Sequence, residues 1–599
     1  MRILGLSFYY HDAAAVLLED GVLVAAAQEE RFSRRKHDPG FPAQAVAFCL
    51  RQGNCTADEL DYVVFYEKPF LKFERLLTTV LATVPRSATL FREGMLTWLG
   101  DKLWLKQHIA DRVGVPSNRI LFIEHHHSHA ASALFCSPYA DAALLTVDGV
   151  GEWTTAAFGH GTAAWNGTGE NRITLDAELR FPHSLGLLYS AFTAFLGFEV
   201  NEGEYKVMGM APYGEPKYVD RVRRVVHVYD DGSLHLDLSY FTFPYHTRRT
   251  FGRKFEALFG EPRDPKARFV TDRTSRYDDP SPPTRAEIER NQYYADVAAS
   301  IQAVTEDILL QMARHLHDRT GSRRLCLAGG VALNSVANFR ILAETPFEEL
   351  YIQPAAGDAG GALGAALYAY HVLLGQPRRF ILEHAAWGEN HDGSATADFL
   401  DRTGLAAEYH AGEDQLLDRV VDLLKGGKVV GWVQGRFEWG PRALGHRSIL
   451  ADPRRAEMKD IVNVKIKFRE PFRPFAPSVI AEKVGDYFAL PEPARHFPAR
   501  YMLYVVPVKQ PQVLPAITHA DGTGRLQVVT RETNPRYHRL LERFGEATGV
   551  PVLLNTSFNL RGEPIVNTPA DAYRTFMTSD MDALVLDNWV VMKEREKMR

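Results

Sequence analysis

Apolar and polar residues alternate in short blocks at the start of the chain. The pattern predicts a strand over residues 3–8, a polar turn at His11-Asp12, a strand over 14–18, a hairpin turn at Asp20-Gly21 and a strand over 22–27. A related pattern follows Ala142: an apolar strand over 143–147, the turn Asp148-Gly149-Val150-Gly151, and a strand over 153–158. The recurrence predicts a duplicated α/β domain with two similar sheets. Each sheet places a polar turn at a strand end, where α/β folds usually bind ligands.

Further along, Val297, Ile301, Val304, Ile308, Leu309 and Met312 form a helical stripe within 295–316, closed by Gly321. A short strand over 325–327 leads into the glycine turn at 328–334, and a second glycine turn at 357–361 opens another helix. Such turns bring backbone N–H groups to a helix start, which suits phosphate or nucleotide; close helix–sheet packing is the alternative. Residues 378–394 read as a linker, after which an amphipathic helix near 416–424 and a strand over 429–433 restart the pattern. The expected domains are therefore 1–385 and 395–599. Residues 245–290, rich in Pro, Asp and Arg, read as a long surface insertion without a motif.

Composition narrows the class. A chain of 599 residues with 46% hydrophobic, 24% charged and 11% aromatic residues is globular and exceeds one domain. Its net charge of -5 gives no global pull toward nucleic acid or an anionic membrane, so any anion site is local. Cys49, Cys55, Cys136 and Cys326 form no CxxC pair, which excludes a zinc knuckle and a disulfide framework. His11 and Asp12 interrupt the signal-like start, and no apolar run nears the roughly 18–20 residues of a membrane span. The expectation is a cytoplasmic protein with no nucleic-acid or membrane partner.

Three constellations carry chemistry. Four histidines occur within residues 125–129 after a strand, and His125 and His129 at i, i+4 share one helical face. With a carboxylate such as Asp148 or Asp358 they suit Fe2+, with Zn2+ or Mn2+ chemically admissible. His11 with Asp12 is a candidate general base and partner, because imidazole titrates near neutrality; a turn-forming Asp beside an exposed His is the alternative. Residues 436–473 hold ten Lys and Arg against five Asp and Glu, punctuated by Gly and Pro, which points the charges at a polyphosphate or acyl phosphate. Downstream, the apolar strand ending in Asn555-Thr556-Ser557-Phe558-Asn559 presents small polar groups.

Lys467-x-Arg469 with Ser557-x-Asn559 resembles the KxR and SxN pair of the threonylcarbamoyl-adenylate synthase fold. His125-xxx-His129, the glycine turn before Asn334 and the Asp358 turn resemble the actin-like threonylcarbamoyl-transfer proteins. Both halves in one chain, with His11-Asp12-Ala13-Ala14, residues 440–445 (GPRALG) and 473–477 (RPFAP), resemble the O-carbamoyltransferases of nodulation-factor and antibiotic biosynthesis.

The resemblance implies an α/β protein with a duplicated actin-like (ribonuclease-H-like) N-terminal domain and a twisted-sheet C-terminal domain like threonylcarbamoyl-adenylate synthase. It also implies that carbamoyl phosphate and ATP give carbamoyl adenylate, whose carbamoyl group passes to a hydroxylated small-molecule acceptor, leaving AMP. By resemblance, Arg442, Lys467, Arg469, Arg473, Arg525, Asn555, Ser557 and Asn559 take carbamoyl phosphate and ATP, with Mg2+ on the ATP. His125, His129, Asp148 and Asp358 ligate a metal, iron by resemblance. Gly330, Asn334 and Asp148 meet the nucleotide, His11 and Asp12 act in transfer, and Lys36 is grouped with them as a catalytic residue that meets the phosphate side. An enclosed, hydrated passage between the domains is expected for so labile an intermediate. Two other readings use parts of the same set: a tRNA-modifying threonylcarbamoyl transferase, and a non-enzymatic actin-like nucleotide-binding regulator.

Overall fold

A computed structural model describes residues 1–100, 102–167, 169–274, 281–391 and 393–593. The chain divides into two compact units. The first comprises Met1–Ala26, Pro39–Thr271 and Thr284–Leu382, and the second comprises Ala27–Asp38, Asp272–Pro283 and Glu383–Arg599.

The first unit holds two five-stranded sheets. One contains β1 (Arg2–Ser7), β2 (Ala14–Glu19), β3 (Val22–Gln28), β4 (Tyr62–Phe65) and β5 (Ile120–Phe122) in the order β3-β2-β1-β4-β5. The other contains β6 (Asp141–Val147), β7 (Thr154–Thr162), β8 (Arg172–Arg180), β11 (Arg324–Ala328) and β12 (Glu349–Tyr351) in the order β12-β11-β6-β7-β8. A small hairpin, β9 (Val226–Val228) with β10 (Leu234–Leu236), lies apart from both. In each large sheet an antiparallel meander (Leu4 opposite Leu17, Leu144 opposite Gly159) continues into parallel strands (Leu4 opposite Val63, Leu144 opposite Cys326). The two strand orders are the same, so the expected duplication is real and the arrangement is the actin-like one.

Strands β1 and β6 are buried along nearly their whole length, which is why residues 3–6 and 142–145 read as apolar runs. The helix Asp358–Tyr368 packs against the helix His125–Leu134 so closely that a Cβ on Gly364 would lie 1.7 Å from the Ser128 carbonyl oxygen. Gly364 thus serves the close approach of these two helices.

Two readings change. The stripe helix runs over Arg285–Thr320, beginning earlier than the apolar period indicated. Thr284 and Glu287 form a capping box at its start: Thr284 Oγ1 accepts the Glu287 N–H at 3.2 Å and Glu287 accepts the Thr284 N–H at 2.8 Å. The 245–290 stretch is therefore not a surface insertion throughout, although its residues 275–280 lie outside the described ones. The helix Arg253–Phe259 buries Phe255 and Phe259 completely, with Phe255 ring centroids 5.1 Å from Phe192 and 5.6 Å from Phe195. Phe255 and Phe259, spaced i, i+4, form the buried face of this helix, a signal masked by the surrounding Pro and Arg, and Phe251 lies before it in a β-bridge with Phe241. Phe255→Ala is expected to cost about 3–5 kcal/mol in urea unfolding; a loss below about 1 kcal/mol would return the segment to the surface.

The second unit is built on a nine-stranded mixed sheet ordered β14-β23-β22-β15-β17-β21-β18-β20-β19. Its strands are β14 (Glu408–Tyr409), β15 (Val430–Val433), β17 (Arg447–Ala451), β18 (Ala476–Ile480), β19 (Tyr504–Pro507), β20 (Thr523–Val529), β21 (Val552–Ser557), β22 (Ala583–Leu586) and β23 (Trp589–Met592). β13 (Ala386–Asn390) pairs separately with β16 (Arg436–Glu438). The helices Glu413–Lys425 and Pro535–Thr548 cover the large sheet through Leu416, Val420, Leu424, Leu540 and Phe544.

Residues 378–394 are more than a linker. Arg378 is fully buried, donates to the Tyr139 carbonyl at 2.5 Å and lies over the Trp165 ring, and 386–390 form β13. Among the described residues no helix is long and apolar enough to cross a membrane.

Candidate functional site

In the first unit, β6 ends at Val147 and delivers Asp148, the helix His125–Leu134 follows β5, and Asp358 begins its own helix. His125, His129, Asp148 and Asp358 are all buried, and one ligand atom from each lies within 4.8 Å of the others. Nε2 of His125 is 3.0 Å from Asp148 Oδ2 and 3.5 Å from Asp358 Oδ1. Nε2 of His129 is 3.5 Å and 3.7 Å from the same two atoms.

Burial opposes charge on Asp148 and Asp358. Even so, His125 and His129 hold Asp148 well below the usual carboxylate range, and His125 with His11 lowers Asp358. Burial likewise opposes charge on His129, but hydrogen bonds with Asp148 and Asp358 raise it to about 9. Asp358 Oδ2 is buried without a hydrogen-bond partner among the described residues. Two imidazoles and two carboxylates, one of them with an unpartnered buried oxygen, make a donor set that fits a divalent cation.

The neighbouring histidines do other work. His126 bonds Thr146 Oγ1 at 2.7 Å and the Thr154 carbonyl at 2.9 Å, and burial holds it well below its ordinary value. His127 pairs with Glu124 at 3.3 Å. The i, i+4 spacing thus separates the inward pair from the rest.

His11 stands at the rim. Its Nδ1 meets Asp12 Oδ2 at 2.9 Å and its Nε2 is 3.9 Å from Asp358 Oδ2. Burial lowers its pKa, but Asp358 and Asp12 outweigh it and raise His11 to about 9. The Gly330 N–H donates to Asp148 Oδ1 at 2.9 Å, so the first glycine turn is tied to the cation cluster. The Asn334 side chain caps the helix Ser335–Glu344, accepting from Ala337 N at 3.3 Å, and bonds Gln302.

In the second unit, a π-helical turn Ile461–Ile466 and a left-handed Phe468 (φ 48°) turn Lys467 inward. Its Nζ donates to the Ser557 carbonyl at 2.7 Å, Asn559 Oδ1 at 2.9 Å and Ser557 Oγ at 3.0 Å. Burial first, then the charges of Arg469, Arg473, Lys36 and Arg525, hold Lys467 well below its ordinary value. Arg469 lies over the Phe475 ring at 4.7 Å and donates to Asn463 Oδ1 at 2.7 Å. Arg442 is half-buried on the loop between β16 and β17. The donor half of Asn555 is engaged inside the sheet, with Gln527 at 2.8 Å, Ser478 at 3.1 Å and the Ala443 carbonyl at 3.3 Å.

Lys36 was grouped with His11 and Asp12 but belongs to the second unit. Its segment is fastened there by Arg31, which donates to the Gly440 carbonyl at 2.6 Å, and by Arg34, which donates to the Ile565 and Pro564 carbonyls at 2.6 and 2.9 Å. Its charge is therefore part of the Lys467 set. Glu438 was missed: its carboxylate accepts the N–H groups of Leu444, His446 and Arg447 at 2.7, 2.8 and 3.1 Å and so shapes the loop that carries Arg442. A lone acid flanking a Gly-Pro step inside a basic run was the available signal.

One chain thus carries a duplicated actin-like unit with a buried cluster of two imidazoles and two carboxylates, and an α/β unit that gathers Lys467 with Lys36, Arg469, Arg473 and Arg525. Residues 2–367 match the family model described as Carbamoyltransferase N-terminus, and residues 421–593 match the one described as Carbamoyltransferase C-terminus. The chain belongs to the O-carbamoyltransferase family. It is 48% identical to an uncharacterized protein of Synechocystis sp., covering all of this chain and 98% of that one. It is 36% identical to nodulation protein NolNO of Sinorhizobium fredii, covering 98% and 79%. It is also 36% identical to the 3'-hydroxymethylcephem-O-carbamoyltransferase of Amycolatopsis lactamdurans, over 44% of this chain and 48% of that protein.

Proposed function

We propose that the chain is an ATP-dependent O-carbamoyltransferase acting in two steps on a hydroxylated small-molecule natural product such as an antibiotic, macrolide or sugar. In the second unit, carbamoyl phosphate and ATP give carbamoyl adenylate; release of both phosphate and pyrophosphate requires that one water be consumed. The observation that carries this reading is the Lys467 pocket. Its amine is held by Ser557 and Asn559 and faces the charges of Arg469, Arg473, Arg525 and Lys36. Such a concentration of cations suits two polyanions that must approach each other, with Mg2+ on the ATP completing the screening.

In the first unit, the acceptor hydroxyl oxygen attacks the carbamoyl carbon, the bond from that carbon to the adenylate oxygen breaks, and AMP leaves. The hydroxyl proton passes to Nε2 of His11, whose other ring nitrogen is fixed by Asp12. His125, His129, Asp148 and Asp358 would hold the metal, which supplies Lewis acidity toward the adenylate. A cation held there would also offset the Asp358 charge that raises the His11 pKa. The name of the cephem relative, which specifies a hydroxymethyl acceptor, supports the acceptor class.

Incubation with carbamoyl phosphate, ATP and a panel of hydroxylated metabolites is expected to produce a mass gain of one carbamoyl group. His11→Ala should lower transfer by about 10²–10⁴-fold while sparing pyrophosphate release. If His11→Ala stopped pyrophosphate release without acceptor, the division between the units would be wrong.

A further inference from the structure

We propose that Glu152 is a positioning residue for the cation site: its carboxylate fastens the first turn of the helix His125–Leu134, and with it both imidazoles, to the loop that carries Asp148. The inference rests on the metal reading of that cluster.

A helix start leaves backbone N–H groups without partners inside the helix. Here the residue before the helix, Glu124, makes no side-chain cap. Glu152 takes that place from a distant part of the chain: its two carboxylate oxygens accept the His125 N–H at 3.1 and 3.2 Å, and Oε1 also accepts the Lys68 N–H at 2.7 Å. The residue is 5% exposed, and a carboxylate at a helix N-terminus is favoured by the helix dipole.

Glu152 follows Asp148 by four residues, so one short loop carries a ligand carboxylate and the cap of the helix that supplies the ligand imidazoles. Two further contacts fix that loop. Arg75 donates to the Gly151 carbonyl at 2.6 Å, and a Cβ on Gly151 would lie 2.9 Å from the Cβ of His125.

The orientation of the imidazoles makes this cap matter more. A metal-ligating histidine is usually aimed by a hydrogen bond from its second ring nitrogen. Among the described residues, Nδ1 of His125 and Nδ1 of His129 are buried without such a partner. The rings are therefore aimed by the helix backbone and by packing, His125 against Tyr66 at a centroid distance of 5.2 Å and against Gly151. Glu152 is where that backbone is anchored.

The test uses Co2+ as a spectroscopic probe on the full chain, comparing wild type, Glu152→Gln and Glu152→Ala by visible absorption and by competition with a chelator. Glu152→Ala should weaken Co2+ binding by up to about 100-fold and alter the absorption bands. Glu152→Gln, which keeps the shape and one acceptor oxygen, should lose about tenfold. The glutamine variant carries the test if the alanine variant does not fold. Wild-type affinity and bands in the folded variants would overturn the positioning role. A wild-type protein that takes up no Co2+, Fe2+, Zn2+ or Mn2+ would instead overturn the metal reading beneath it.

Discussion

Lys467→Ala is expected to reduce carbamoyl-phosphate-dependent pyrophosphate release by about 10³-fold, roughly 4 kcal/mol of transition-state stabilisation. The side chain is almost fully buried, and its amine meets the Ser557 carbonyl, Ser557 Oγ and Asn559 Oδ1. Deleting it leaves those acceptors unpaired and removes a central charge from the group formed with Arg469, Arg473, Lys36 and Arg525. These cations disfavour one another, so the pocket suits a bound polyanion better than water. Lys467→Arg should not rescue, because a planar fork cannot replace a point donor meeting three acceptors at one spot. Activity within tenfold of wild type in Lys467→Ala would remove this residue from the phosphate site, and unchanged metal content would confirm that the first unit is intact.

His129→Ala is expected to have the opposite signature. His129 has no solvent exposure, and its Nε2 lies near both carboxylates and 3.0 Å from Nε2 of His125. Without it, Asp148 and Asp358 keep their charges with one cationic neighbour fewer, and a bound metal loses one of its protein ligands. Metal content should fall from near one per chain to a small fraction, and carbamoyl transfer should fall with it by at least about 10²-fold. Pyrophosphate release should persist. Chelation of the wild-type protein should reproduce the transfer loss, with recovery on Fe2+ addition. Asp358→Asn keeps the side-chain shape and provides a second route to the same result. Full metal occupancy in His129→Ala would sink the metal assignment.

What could be read from the sequence depended on whether the signal was local. The first two strands and the turn at Asp148 follow from apolar runs and polar turns, and the i, i+4 spacing of His125 and His129 separates the inward imidazoles from His126 and His127. Other roles have no local signature. Glu438 and Glu152 act through carboxylate bonds to backbone N–H groups, one on a loop six to nine residues ahead and one on a helix 27 residues back. Such bonds leave no period and no motif. The membership of Lys36 in the second unit was hidden for the same reason, because the contacts that place its segment run from Arg31 and Arg34 to backbone carbonyls more than 400 residues away. The Phe255 and Phe259 pair and the Thr284–Glu287 cap were both legible but lay in a stretch whose composition suggested a loop.

The passage of Ala27–Asp38 through the second unit bears on how the chain is made. This segment leaves the ribosome before the body of its unit, which begins only at Glu383. At about 5–20 residues per second, synthesis of the intervening chain takes roughly 20–70 s. During that interval Arg31 and Arg34 have none of their final carbonyl partners. The second unit consequently cannot be completed as an independent tail: its final assembly closes a loop over most of the first unit's sequence, which couples the maturation of the two units without either one needing to touch the other's substrate.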